Sequence, residues 1–258
     1  GSTVTVNAGV YGSTICVSSG ENGAMYWDRR DNVTSATFST SVRPLYITVS
    51  KHNYIPYTAV TGGTFTTDEA WFGNLRVLGN ITFNSNTTLT VLPGTKLLFE
   101  DNKSLIVTSG AIIHAEGTLN EPITFTSANS NPSPGDWDGI KVVDGGGNTQ
   151  FRYCEISDAH TGIYSDNADF EVRYSSIHDN AYSGIHAVNG SELVLRNNTI
   201  AETHFGLRSQ HNAALILSQT YDWGKNTIRD NSTNLYCTYD ANMKLGNTYW
   251  IPAENIVK

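Results

Sequence analysis

Five residues at near-regular spacing carry the clearest chemistry in this 258-residue chain: Lys141, Tyr164, His186, Arg208 and Tyr236. Asp166 and Gln210 follow two residues behind Tyr164 and Arg208. Phenol rings, an imidazole and two cations in a row are the groups that stack on sugar faces and reach hydroxyls or carboxylates. The column is therefore the candidate ligand-binding surface, with polysaccharide as its expected ligand. The competing view is plain: an outward strand face must be polar, and Tyr is a good strand former.

Three further sets were weighed for chemistry. Asp158, Asp179, Glu202 and Asp230 recur two residues after Ile156, Ile177, Ile200 and Ile228. Acids stacked at the ~4.8 Å strand spacing would repel, raise one another's pKa values, or collect Ca²⁺. One coil apart, two carboxyls would suit a retaining glycosidase; two coils apart, an inverting one. Asp179-Asn180 and Asp230-Asn231, however, read as turns whose side chains satisfy backbone N–H groups. Arg152, Arg173 and Arg196 form a basic ladder, with Glu155 and Glu171 as its expected neutralising neighbours. His160, His178 and His204 lie near one corner, where only His160 and His204 share a register; two coils apart, they are too distant to share an ion. The sequence assigns no catalytic residue and no metal ligand.

All of these positions depend on one repeat. Gly139-Ile140, Gly162-Ile163, Gly184-Ile185 and Gly206-Leu207 recur at steps of 23, 22 and 22 residues, with Asn234-Leu235 a weaker copy 28 residues on. Period-2 alternation sends Ile140, Ile163, Ile185, Leu207 and Leu235 to one side, with Val142, Ser165, Ala187, Ser209 and Cys237 in the next column. Large above large and small above small is the stacking that a narrow solenoid interior needs. The expected fold is all-β: a right-handed parallel β-helix with about 22 residues per turn. Short strands at 89–91, 97–99, 105–107, 112–114 and 123–125 extend it toward the N-terminus with more drift. A long last step predicts a loop at 218–224 carrying Tyr221 and Trp223. Residues 249–252 are expected to cover the open end, since a bare edge invites stacking.

Composition narrows the partners. Charged residues are 16% and the net charge is −8, so nucleic acid is an unfavourable partner. No apolar run reaches the ~20 residues of a membrane span. Three cysteines far apart exclude a disulfide scaffold and are expected as buried free thiols. Gly1-Ser2 reads as a cloning scar, which makes the chain an expected piece of a longer secreted or cell-surface protein.

Residues 89–95, LTVLPGT, then 115–118, AEGT, 122–127, PITFTS, and 137–140, WDGI, resemble the opening coils of secreted bacterial right-handed β-helix proteins. The later Gly-Ile repeats resemble pectate-lyase-like repeats. This resemblance implies the fold; lyases, hydrolases, adhesins and spacers all share it. Residues 44–57, PLYITVSKHNYIPY, resemble the last strand of the immunoglobulin-like domain after gingipain-type cysteine peptidase domains. Strands at 13–19, 24–30, 36–40 and 45–50 independently suggest a small β-sandwich.

The expected organisation is an immunoglobulin-like β-sandwich over residues 1–60 and a parallel β-helix over 61–258. The expected function is a non-catalytic accessory region of a larger bacterial protein, giving spacing or display and binding polysaccharide on the outward column. The alternative is a polysaccharide lyase or glycoside hydrolase acting on an acidic glycan. No cofactor is expected, and Ca²⁺ is the ion that the acidic column would take.

Overall fold

The structure, a computed structural model, describes residues 3–19, 27–40, 44–53, 57–84, 86–145, 147–217, 225–244, 249–250 and 256–257. It is all-β, and its larger part is a parallel β-helix of three long sheets. Along the first sheet, the strands Gly63–Phe65, Ile81–Phe83, Ser104–Thr108, Gly139–Gly145, Thr161–Ala168, Ser183–Val188, Phe205–Gln210 and Thr233–Thr238 open eight successive coils, and Ile256–Val257 adds a ninth strand among the described residues. We number the coils 1 to 8 in that order.

The pairing register is that expected from the alternation. Ile81, Leu105, Ile140, Ile163, Ile185, Leu207 and Leu235 form one inward column. Phe65, Phe83, Val107, Val142, Ser165, Ala187, Ser209 and Cys237 form the next. Its members shrink along the axis, from Phe65 stacked on Phe83 at 4.7 Å to Ser and Ala in coils 5 to 7. Leu75, Leu97, Phe125, Ile156, Ile177, Ile200 and Ile228 line the third sheet. Apart from Ser165, Ser209 and the partly buried Cys237, these side chains belong to one continuous buried cluster. Strand Tyr249–Trp250 pairs in parallel with Thr227–Arg229. It therefore adds to the stack as a further strand, and residues 251–252 of the expected cover lie outside the described residues. The expected loop at 218–224 lies outside the described residues.

The glycines of the Gly-apolar pairs have a specific cause. A methyl group on Gly162, Gly184 or Gly206 would lie 2.7 Å from a backbone carbonyl oxygen of the next coil, or in the case of Gly206 from the Asn234 carbonyl. Only a missing Cβ lets the coils approach this closely. The corners have a second cause. Tyr153, Tyr174, Asn197 and Lys225 take left-handed φ between the second and third sheets, and Asp158, Asp179, Glu202 and Asp230 do so between the third sheet and the next coil. Behind each corner stands a buried polar column. The Asn198 side chain accepts from Ser175 N–H at 3.0 Å and donates to the Val172 carbonyl at 2.8 Å. Asn180 and Asn231 repeat the device, accepting from Ala159 N–H at 2.9 Å and Thr203 N–H at 3.0 Å.

The N-terminal part is antiparallel. Thr3–Asn7 pairs with Ser35–Ser39, while Trp27–Val33, Ser13–Ser18, Tyr46–Ser50 and Tyr57–Val60 run side by side. Ile15, Val17, Phe38, Leu45, Ile47 and Ala59 form their own buried cluster. Tyr57–Val60 pairs antiparallel with Tyr46–Ser50 and parallel with Asn74–Val77, so the antiparallel strands continue the third sheet of the helix. A second joint is polar: Trp71 Nε1 donates to the Tyr46 hydroxyl at 2.8 Å, which donates to Glu69 at 2.8 Å.

Candidate functional site

The outward column of the first sheet stands in the expected register: Lys141, Tyr164, His186, Arg208 and Tyr236 occupy consecutive coils. A parallel ridge runs ahead of it. His160, Tyr182 and His204 each precede a residue of the paired set Thr161, Ser183 and Phe205. The rings stack along the axis, His160 on Tyr182 at 5.4 Å and Tyr182 on His204 at 6.2 Å. Between the two ridges lies a groove of about 520 Å³, lined by Asp138, Lys141, His160, Thr161, Tyr164, Tyr182 and His186.

Asp138 enters from an insertion. Residues 128–138 lie between the coil 3 strand Ile123–Ser127 and the coil 4 strand Gly139–Gly145. Trp137 anchors that segment: it is fully buried, stacks on Phe99 at 4.1 Å, and donates through Nε1 to the Ser157 carbonyl at 2.8 Å. Lys141 Nζ reaches Asp138 at 3.1 Å, and Ser104 Oγ donates to the same carboxylate at 2.9 Å. Burial alone would raise the Asp138 carboxyl, but these two donors hold it below the usual range.

The rest of the groove is similarly self-satisfied. Burial, with Arg208 nearby, pushes His186 down to about 4, so its ring is neutral at ordinary pH. One ring nitrogen, Nε2, sits 3.0 Å from Gln210 Oε1. The Tyr164 hydroxyl donates to Asp166 at 3.2 Å, and Asn189 donates to the same carboxylate at 2.7 Å. Arg208 is held among rings, 5.0 Å from the Tyr182 centroid, 5.3 Å from Phe205 and 5.5 Å from Tyr236. It also donates to the Tyr182 hydroxyl at 2.7 Å. Arg208 and Tyr236 thus extend the aromatic platform beside the groove, whereas Lys141, Tyr164 and His186 line it.

Asp138, His160, Thr161 and Tyr182 were not among the expected binding residues. A signal for two of them was present: His160, Tyr182 and His204 recur at steps of 22 residues. Counting from the closing Ile paired the two histidines and concealed the tyrosine between them.

The other sets resolve into structural roles. Asp158, Asp179, Glu202 and Asp230 are the left-handed corner residues. Asp158 accepts from Ser157 at 2.7 Å and from Thr126. His178, Asp179 and Glu202 each bring one ligand atom within 4.8 Å of the others. His178 is already engaged, with Nε2 3.5 Å from Glu155 and Nδ1 2.8 Å from Asp179. Glu155 first, and then Asp179, raise its pKa to about 9. A cation there would have to displace a strongly held proton, and the mixed nitrogen–oxygen set is far from the six to eight oxygens that Ca²⁺ prefers.

Arg152, Arg173 and Arg196 do stack in register. Glu171 pairs with Arg173 and lies 3.7 Å from Arg196, as expected. Glu155, the other expected neighbour, faces His178 instead. Arg152 lies over the stacked rings of Tyr153 and Tyr174, at 5.4 and 5.6 Å. The three cysteines are free; Cys154 is buried, and burial pushes its thiol up to about 12. Among the described residues, no helix is long and apolar enough to cross a membrane.

Comparison with known proteins adds one match. A family model described as a pectate-lyase like beta helix domain matches residues 63–167, from coil 1 through most of the first-sheet strand of coil 5. The matched stretch includes Asp138, Lys141, His160, Thr161 and Tyr164 and stops before Tyr182 and His186. No curated protein matches the chain, and no solved structure does.

Proposed function

We propose that this chain is a glycan-binding, non-catalytic accessory region of a larger secreted or cell-surface bacterial protein. Its site is the groove between the His160–Tyr182 ridge and the Lys141–Tyr164–His186 column. The pectate-lyase-like match fits a polysaccharide-related role. The observation that carries the reading is the groove itself: rings from two neighbouring columns face a channel along which coils repeat at ~4.8 Å. Sugars present apolar faces to such rings and hydroxyls to the polar groups between them.

An accessory role is favoured over catalysis by the state of the polar groups. Among the described lining residues Asp138 is the single carboxylate, and it is tied to Lys141 and Ser104. Glycoside hydrolysis ordinarily asks for two facing carboxyl groups. In this reading the helix is right-handed, as parallel crossovers almost always are, and covers residues 61–258. Residues 1–60 form an immunoglobulin-like unit at its N-terminal end that joins it to the rest of the parent protein.

Glycan-array screening followed by affinity electrophoresis tests the proposal. Tyr164→Ala and Tyr182→Ala should each weaken binding by about 2 kcal/mol, roughly 30-fold in Kd, as buried aromatic anchors do. Unchanged affinity in both variants would sink the groove as the site. Release of unsaturated or reducing ends from any bound polymer would overturn the accessory role.

A further inference from the structure

We infer that the groove takes an uncharged glycan and discriminates against polyuronates. The inference rests on the glycan-binding reading above and adds the ligand's charge class.

A carboxylate-bearing polymer needs cations that are free to pair with it, usually arginines in a bidentate fork. The groove and its rim have two cations, and neither is free for such a fork. Lys141 is held 3.1 Å from Asp138. Arg208, beside the groove, is covered by the rings of Tyr182, Phe205 and Tyr236 and donates to the Tyr182 hydroxyl, and its unpartnered Nε is buried away from solvent. Asp166 adds a second carboxylate beside Tyr164. The fixed charges of Lys141, Arg208, Asp138 and Asp166 cancel. His186 adds none, since burial and Arg208 keep its ring neutral above about pH 4. Around the groove the chain as a whole carries −8, which repels a polyanion at long range.

What remains for recognition is aromatic face and neutral hydrogen-bonding atoms. Those include the Thr161 hydroxyl, the Tyr164 oxygen, which can still accept while its proton goes to Asp166, and the His186 ring nitrogen that does not face Gln210. Such a set recognises hydroxyl-rich, uncharged sugars. It also makes binding nearly independent of salt, because no counterions are released.

The test compares neutral polymers (galactomannan, xyloglucan and a β-1,3-glucan) with polygalacturonate and alginate, at about 20 and about 500 mM NaCl, in affinity electrophoresis and calorimetry. The expected result is retention by at least one neutral polymer, with less than about a twofold change in Kd across that salt range. Binding to either polyuronate should be at least about tenfold weaker. Asp138→Asn supplies the converse. It frees Lys141 while its amide oxygen can still accept from Ser104, so the groove gains one net positive charge. This variant should bind polyuronate at low salt and release it at high salt. Wild-type preference for a polyuronate, with affinity that falls as salt rises, would overturn the inference while leaving the groove a glycan site. Retention of no polymer by either protein would instead bring down the glycan-binding reading itself. Should Asp138→Asn fail to fold, the wild-type comparison decides alone.

Discussion

Gly184→Ala is the substitution whose effect the structure fixes most sharply. Gly184 has an ordinary backbone conformation, so a side chain there meets no φ strain. The added methyl would, however, sit 2.7 Å from the Gly206 carbonyl oxygen and 2.7 Å from Ile200 Cγ2. Gly206 belongs to the next coil and Ile200 to the third-sheet strand of the same coil, and both are held by inter-coil pairing. Overpacking of this kind costs about 1–3 kcal/mol, offset by about 0.5–1 kcal/mol from the reduced flexibility of the unfolded chain. A net loss of up to about 2.5 kcal/mol, centred slightly above 1, follows, and the central value lowers Tm by roughly 2–5 °C for a chain of this size. Gly147→Ala is the control, because nothing lies within 4 Å of its added methyl and its φ is likewise ordinary. Thermal unfolding by circular dichroism, run on both variants at one scan rate, reads the difference. If Gly184→Ala melts within a degree of Gly147→Ala, close approach between coils is not the reason for the glycine column.

Two further outcomes follow from buried polar groups. His178 has a folded pKa of about 9, above its ordinary 6.5, so its ion triad stabilises fully below pH 6.5 and is lost as pH rises through 9. His178→Gln should therefore destabilise near pH 6 by on the order of 1–2 kcal/mol, discounted for half-exposed partners, and by little above pH 9.5. Denaturant midpoints measured across that range check it, and a pH-independent difference would refute the triad. Asn198→Ala orphans the Ser175 N–H and the Val172 carbonyl, at about 1–3 kcal/mol each. Asn198→Asp, which sets a buried carboxylate against the Val172 carbonyl and Asn226 Oδ1, should lose at least as much as alanine in denaturant midpoint near neutral pH; an unchanged midpoint in Asn198→Ala would refute the ladder.

How much of this was legible depends on what each residue is constrained by. The Gly-apolar pairs are dictated by close approach and interior packing, so coils 4 to 8 could be aligned residue by residue from sequence. Coils 1 to 3 follow the same geometry, but their pairing partners Gly63, Ile81, Leu105 and Ile140 are separated by 18, 24 and 35 residues. Corner lengths vary freely because corners face solvent, and the variation conceals the period. The strand Thr3–Asn7 is weakly signalled because its alternation, VTV within Thr and Asn, is short, with one face exposed and the other only half-buried. The acidic column was legible as turns through its Asp-Asn pairs. Tyr182 is hard to read as a site residue from sequence, because the ridge mixes residue types, a tyrosine between His160 and His204, and shows only as a ring at each 22-residue step.

The location of the groove follows from what a stacked coil leaves undecided. Inward columns must fill the interior, and corners must accept left-handed backbone, so only outward strand positions are free to carry chemistry. On the third sheet the outward column Thr124, Glu155, Ser176, Thr199 and Thr227 is mostly short hydroxyls, which favour strand and offer little surface for recognition. On the second sheet the arginine ladder is consumed by Glu171 and by the Tyr153–Tyr174 stack. The first sheet begins without rings or charges, with Thr64, Thr82 and Ile106 on the outside of coils 1 to 3. Its outward column changes to Lys141, Tyr164, His186, Arg208 and Tyr236 from coil 4 onward, immediately after the insertion that brings in Trp137 and Asp138. Stacking alone does not call for the change from short or aliphatic side chains to cations and rings at that point, or for burying Trp137 so as to hold Asp138 beside Lys141. On the proposed glycan-binding reading, the change and the insertion mark the side of the helix on which ligand contact would be selected.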